Sequence, residues 1–127
     1  MTSIFSRIVA GEIPCHKVWE DADHLAFLDI NPVVAGHTLV IPKREVGYLF
    51  DMGEEEYAAL WAAARRVSLR LKEVLGCKRV CVSVVGYEVP HTHIHLVPTK
   101  SSREFPPPAG RPASHQELAA IAARLAG

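Results

Sequence analysis

Cysteine is scarce in this chain. Its 127 residues contain three, Cys15, Cys77 and Cys81, an odd number with no Cys-x-x-Cys pair. That usage argues against a disulfide framework and fits small apolar side chains in a reduced compartment. Surplus charge of one sign is missing too. Lys and Arg total 14, Asp and Glu total 14, and the formal net charge is zero with His neutral. A sequence-independent nucleic-acid binder needs a cationic surplus to displace counterions from phosphates, so nucleic acid is not an expected partner. A small anionic ligand, which needs only a few local donors, remains open. No apolar run approaches the roughly 20 residues that span a bilayer. Arg7 and Glu12 also interrupt the apolar stretch near the N-terminus. The expectation is therefore a cytoplasmic protein with no membrane partner. Against these absences stand seven histidines, more than the tyrosines and tryptophans combined.

The length suits one domain, residues 1–127, able to bury a core without staples. Ile4 and Ile8 lie one helical turn apart after Ser3, which predicts a short N-terminal helix stopped at Gly11. Strands are predicted at Lys17–Glu20, His24–Ile30, His37–Ile41, Arg79–Val85 and His91–Val97, joined by turn signals such as Asn31-Pro32. Asp51 and Glu54 form a capping-box pattern ahead of a long helix. Its apolar face is read as Leu60, Ala64, Val67, Leu71 and Val74, with Gly76 as the stop. Arg65, Arg66, Arg70 and Lys72 on that helix read as a solvated face. Residues 98–113, rich in Pro and Ser, predict an extended arm, and 114–126 a terminal helix capped by Ser114. The fold class expected is α+β, an antiparallel sheet of about five strands with one long helix packed on it.

Chemistry concentrates in His91-Thr92-His93-Ile94-His95-Leu96-Val97. On a strand, alternate residues share a face, so His91, His93 and His95 point one way while Thr92, Ile94 and Leu96 point into the core. Three imidazoles can divide labour around one phosphate. An imidazole is nucleophilic at one nitrogen when the other holds its proton against a fixed acceptor, and a nearby backbone carbonyl can be that acceptor. Covalent catalysis through a phospho-histidine would follow. His-x-His is equally a zinc-ligand spacing, so from spacing alone metal site and nucleophile both stay open, with a merely structural row less favoured.

The pattern His-φ-His-φ-His-φ-φ (φ apolar) resembles the signature of the histidine triad (HIT) superfamily of nucleotide hydrolases and transferases, with Thr92 departing at the first φ. Three further segments agree in order: residues 3–14, Phe27-Leu28-Asp29-Ile30-Asn31-Pro32, and Gly36-His37-Thr38-Leu39-Val40-Ile41-Pro42-Lys43. The resemblance implies that His93 attacks an α-phosphorus, that His95 hydrogen-bonds phosphate oxygen, and that His91 orients His93, partly through its backbone carbonyl. It implies that Asp29 accepts from the ribose hydroxyls, as a carboxylate facing a cis-diol can. Ile4, Phe5, Ile8, Phe27 and Ile30 would line an apolar slot for the base, although ordinary core is the competing reading for Ile8 and Phe27. A third histidine, where the uridylyltransferase branch has glutamine, points to the hydrolase side. The opening block is most similar to the Hint-like nucleoside phosphoramidase branch. A small-molecule nucleotide substrate, no cofactor and a homodimer built on the long helix and a neighbouring strand are what the resemblance implies.

Two departures stand out. Many bacterial relatives carry Cys-x-x-Cys in the opening block and a histidine after the Pro-Lys of the third strand, which together bind a structural zinc. Here those positions are Ser3, Ser6 and Glu45, and serine hydroxyls are poor zinc ligands, so no metal is expected. The loop before the histidines, Ser83 to Pro90, is short and lacks the usual Gly-Gln. Ser83 is left as the candidate phosphate contact. Glu88 is a candidate proton donor to a leaving amine if buried, or an exposed turn carboxylate. These departures keep open a nucleotide-binding module with little catalysis.

Overall fold

The computed structural model describes residues 2–126. Three helices, α1 (Ile4–Val9), α2 (Glu54–Leu75) and α3 (His115–Leu125), accompany five strands, β1 (Lys17–Glu20), β2 (His24–Leu28), β3 (Thr38–Pro42), β4 (Arg79–Ser83) and β5 (Ile94–Thr99). The sheet has the order β1-β2-β3-β5-β4, and every neighbouring pair is antiparallel. The α+β architecture expected from the sequence is the one observed.

Strand alternation sorts the side chains between two clusters. Ala26, Val40, Ile94 and Leu96 pack with Leu60, Ala63, Ala64, Val67 and Leu71 of α2. Leu25, Phe27, Leu39 and Ile41 form a second cluster with Phe5 of α1. Because both faces are covered, β2 and β3 read as nearly continuous apolar runs. The register places Phe27 opposite Leu39, Leu39 opposite His95, and His95 opposite Ser83. Residues directly opposite on antiparallel strands share a face, so His95 belongs to the face that carries α1, not α2.

Several local expectations are corrected. The histidine strand starts at Ile94, so His91 and His93 precede it in irregular backbone. The strand instead runs on through Pro98 to Thr99, both buried, so the arm starts later than residue 98. Pro98 is tolerated because β3 pairing with β5 ends at Thr38–Leu96, leaving no ladder on one side of Pro98 that needs its missing N–H. The N-cap of α2 is Gly53 and makes no side-chain cap bond, and Asp51 closes the preceding 3-10 turn. The acidic run Glu54, Glu55 and Glu56 does occupy the first turn, where the helix dipole favours it. Val74 is exposed rather than on the buried face. Gly76 ends α2 in the left-handed conformation at φ +67°. Gly36 adopts φ +94°, where an L side chain would be strained. Ser3 and Ser114 cap α1 and α3 as expected, accepting from the backbone N–H of Ser6 and Glu117.

Candidate active site

A cavity of about 590 Å³ opens on the sheet face that carries α1. Phe5, Ile8, Phe27 and Leu39 form its apolar floor and wall. His93 and His95 stand at one side, Asp29 at another, and Ile4, Ile30 and Glu88 at the rim. Ile30 and Glu88 are exposed there, so the burial that would have made Glu88 a strong proton-donor candidate is not found. Cys15, His16 and Asn31 also border the opening. Phe5 and Phe27 meet edge to face at 5.6 Å, and Phe5 meets His93 the same way at 4.9 Å. Ser83 and His91 do not line the cavity. Ser83 sits half-buried across from His95, and His91 is fully buried behind the wall.

The hydrogen-bond partners assign the tautomers. Nδ1 of His93 lies 2.8 Å from the carbonyl oxygen of His91. A carbonyl only accepts, so Nδ1 carries the hydrogen and, in the neutral ring, Nε2 holds a lone pair. His95 is set by a residue the sequence reading left unassigned. The backbone N–H of Val33 donates to Nδ1 of His37 at 3.1 Å, which leaves the His37 hydrogen on Nε2. That Nε2 lies 3.0 Å from Nδ1 of His95 and 3.6 Å from Oδ2 of Asp29. Nδ1 of His95 is therefore an acceptor and Nε2 a donor. Burial, followed by the neighbouring His93 and His37, pushes His95 down to about 4, so its ring is neutral at pH 7. Burial likewise lowers His37, against the pull of Asp29.

The result is a nitrogen lone pair beside a nitrogen donor, with ring centroids 4.9 Å apart. Asp29 keeps its place because Oδ1 accepts the backbone N–H of Asn31 at 2.8 Å and its own N–H donates to the carbonyl of His37 at 2.9 Å. The signal for His37 was present in the strand pattern, since alternation puts it on the face of Leu39 and Ile41.

Neither metal reading fits these donors well. The three imidazoles of the motif do not converge, because both ring nitrogens of His91 are occupied, by Pro42 and Ser3. Asp29, His37 and His95 do bring ligand-type atoms within 4.8 Å of one another. The facing nitrogens of that pair are already bonded to each other. Ser3, Ser6, Glu45 and His91 gather behind the wall, but they offer two hydroxyls, a carboxylate and one imidazole nitrogen, all engaged in hydrogen bonds. Structural zinc prefers thiolates and imidazoles, and this set offers no thiolate.

The fold is of the α+β class, a five-stranded antiparallel sheet that sets a histidine pair and a carboxylate around one apolar cavity. Residues 10–102 match the model of the HIT domain, and the chain belongs to that family. It is 33% identical to the adenosine 5'-monophosphoramidase hnt1 of Schizosaccharomyces pombe, over 95% of this chain and 93% of that protein. It is 37% identical to an uncharacterized HIT-like protein of Borreliella burgdorferi, over 75% and 73% of the two chains. Among solved structures, a zinc-bound histidine triad family protein from Mycobacterium smegmatis is 30% identical with TM-score 0.75, covering 99% of this chain and 96% of that one. The likeness supports a hydrolase of the HIT kind. None of the described helices is long and apolar enough to cross a membrane.

Proposed function

We propose that this protein hydrolyses, or transfers, the nucleotidyl group of a nucleoside monophosphate joined to a leaving group, with AMP phosphoramidates as the favoured class. The observation that carries the reading is the His93–His91 hydrogen bond, which leaves a lone pair on Nε2 of His93 inside the cavity. Nε2 attacks the α-phosphorus, the phosphorus–nitrogen bond breaks, and the amine leaves with a proton. Water then attacks the same phosphorus, the Nε2–phosphorus bond breaks, and AMP departs. The Nε2–H of His95 donates to a phosphoryl oxygen as negative charge grows there. Asp29 faces the ribose hydroxyls, and the base lies against Phe5, Ile8 and Phe27, with Ile4 and Ile30 at the edge. Glu88, exposed at the rim, takes no part in the step, the amine taking its proton from water, and Ser83 contributes only from beside His95. The resemblance to the phosphoramidase of fission yeast supports the substrate class.

The test is adenosine phosphoramidate hydrolysis by His93→Ala, together with acid-quench trapping of labelled nucleotide on the unaltered protein. A loss of at least about a thousandfold in kcat, on the order of 4 kcal/mol, is expected. Full activity in the variant removes His93 as nucleophile. The protein is also proposed to be a cytoplasmic homodimer. Exposed Leu69 on α2 and Val82 on the edge strand β4 support that pairing, and sedimentation at micromolar concentration tests it.

A further inference from the structure

Behind the cavity wall, one acidic side chain is wired to the histidine that holds the nucleophile. The imidazole of His91 is 0% exposed. Its Nε2 lies 2.8 Å from the carbonyl oxygen of Pro42, so the ring hydrogen is there and Nδ1 is an acceptor. The hydroxyl of Ser3 reaches that Nδ1 at 2.7 Å. The hydroxyl of Ser6 is a second donor within reach, at 3.3 Å. Two hydroxyls therefore face one lone pair.

Glu45 removes the ambiguity. Its Oε1 accepts the Ser6 hydroxyl at 2.7 Å and the Ser3 backbone N–H at 2.6 Å. The carboxylate itself stands 4.0 Å from Nδ1 of His91. The Ser6 and Ser3 donors hold the Glu45 carboxyl down at about 2, so it accepts throughout the working pH range. With Ser6 turned to Glu45, Ser3 alone donates to His91. Ser3 is also the N-cap of α1, the helix whose Phe5 packs on His91 at 5.9 Å and on His93 at 4.9 Å.

We propose that Glu45 is a positioning residue for His93: by holding the Ser6 hydroxyl it leaves one hydrogen-bond arrangement at His91, and so one position for the carbonyl that accepts the Nδ1 hydrogen of the nucleophile. The proposal rests on His93 being that nucleophile. Without Glu45, the Ser6 hydroxyl competes for Nδ1 of His91 and for the Ser3 oxygen, which lies 3.4 Å away. Two arrangements then share the site, and only one presents His93 correctly. The role is that of an acceptor of defined reach, with charge secondary.

The experiment measures kcat and KM on adenosine phosphoramidate for Glu45→Ala, Glu45→Gln, Glu45→Asp and the double variant Glu45→Ala with Ser6→Ala. Long-range proton–nitrogen spectra report the tautomers of His91 and His93 in each. The alanine variant is expected to lose about tenfold in kcat with KM within about twofold. The glutamine variant, whose amide oxygen still accepts both hydrogens, is expected to keep kcat within about threefold and to exceed the aspartate variant. Removing the competing hydroxyl in the double variant is expected to recover at least about threefold of the alanine loss, and a purely structural role would instead add a second loss. The spectra are expected to show a single His93 tautomer in the unaltered protein and a mixture in Glu45→Ala. Unaltered kcat in Glu45→Ala, an aspartate variant above the glutamine one, or no recovery in the double variant each overturns the proposal. If Glu45→Ala does not fold, the order of the glutamine and aspartate variants decides it. Absence of trapped nucleotide on the unaltered protein would instead remove the nucleophile reading, whereas the tautomer spectra test Glu45 without any turnover.

Discussion

The carbonyl oxygen of His91 and Nδ1 of His93 lie 2.8 Å apart, in backbone that has not yet entered β5. A regular strand would send that carbonyl toward a neighbouring strand. The irregular entry turns it back onto the ring two residues later, so the motif supplies both the nucleophile and the acceptor that fixes its tautomer. Regular pairing resumes at Ile94, which anchors the segment on the α2 side and sets His95 beside His93.

The pH dependence of stability follows from the neutral histidines of this wall. His95 is held at about 4 against an ordinary 6.5, mainly by burial. Between those values the unfolded chain binds the proton and the folded one does not, so stability rises with pH across that window. It is fully present above about 6.5 and is lost as pH falls toward 4. His37 and His91, also lowered by burial, act in the same direction. Urea unfolding midpoints should fall steadily between those two pH values, and His95→Asn should make the slope shallower. A variant slope equal to the unaltered one would contradict the assignment.

His37→Phe should lower kcat by about tenfold while leaving KM nearly unchanged. The ring volume is roughly kept in that buried place, but the hydrogen offered to Nδ1 of His95 is gone. His95 is then free to place its own hydrogen on Nδ1, which turns the nitrogen facing the phosphate from a donor into an acceptor. Steady-state kinetics check the split, and an unchanged kcat would show that His95 keeps its tautomer unaided.

Ile94→Ala should destabilise the protein by about 2–5 kcal/mol, the usual range for emptying a buried aliphatic site. Ile94 is 0% exposed and packs within the cluster that holds α2 against the sheet. Its side chain points away from the cavity, so AMP affinity at a temperature well below the midpoint should stay within about threefold of the unaltered protein. Calorimetric melting and equilibrium titration separate the two effects.

The strand alternation, the helix face and the triad spacing were legible because each rests on local period. Ile94 and Leu96 are buried on the α2 side as the alternation required, whereas Thr92 precedes the strand and its hydroxyl is satisfied by the carbonyl of Val46 at 2.7 Å. What period cannot show is where a polar side chain finds its partner. Asp51 carries a good capping pattern, yet the chain turns through a 3-10 segment first and Gly53 takes the cap. Glu45 read as a loss at a relative's ligand position. Its worth depends on α1 folding back over the segment after β3, a contact 42 residues away in sequence from Ser3. Glu88 had the right place but not the burial, because the loop that carries it stays at the rim.

Asp29 gives the most direct test of substrate orientation. Its Oδ1 is used by the turn, through the Asn31 N–H at 2.8 Å, and Oδ2 faces His37 at 3.6 Å with part of the carboxylate open to the cavity. A ribose cis-diol presented there donates two hydrogens to a charged acceptor, and a hydrogen bond to a charged group is worth about 1.5–3 kcal/mol. Asp29→Asn keeps an oxygen for the turn and gives up the charge. It should raise KM for adenosine phosphoramidate by about tenfold or more, with a smaller change in kcat. The decisive comparison uses the 2'-deoxy substrate. The unaltered protein should prefer the ribo form, and the variant should lose most of that preference. If both proteins discriminate equally, the ribose lies elsewhere in the cavity, and the base slot against Phe5 and Phe27 must be turned with it.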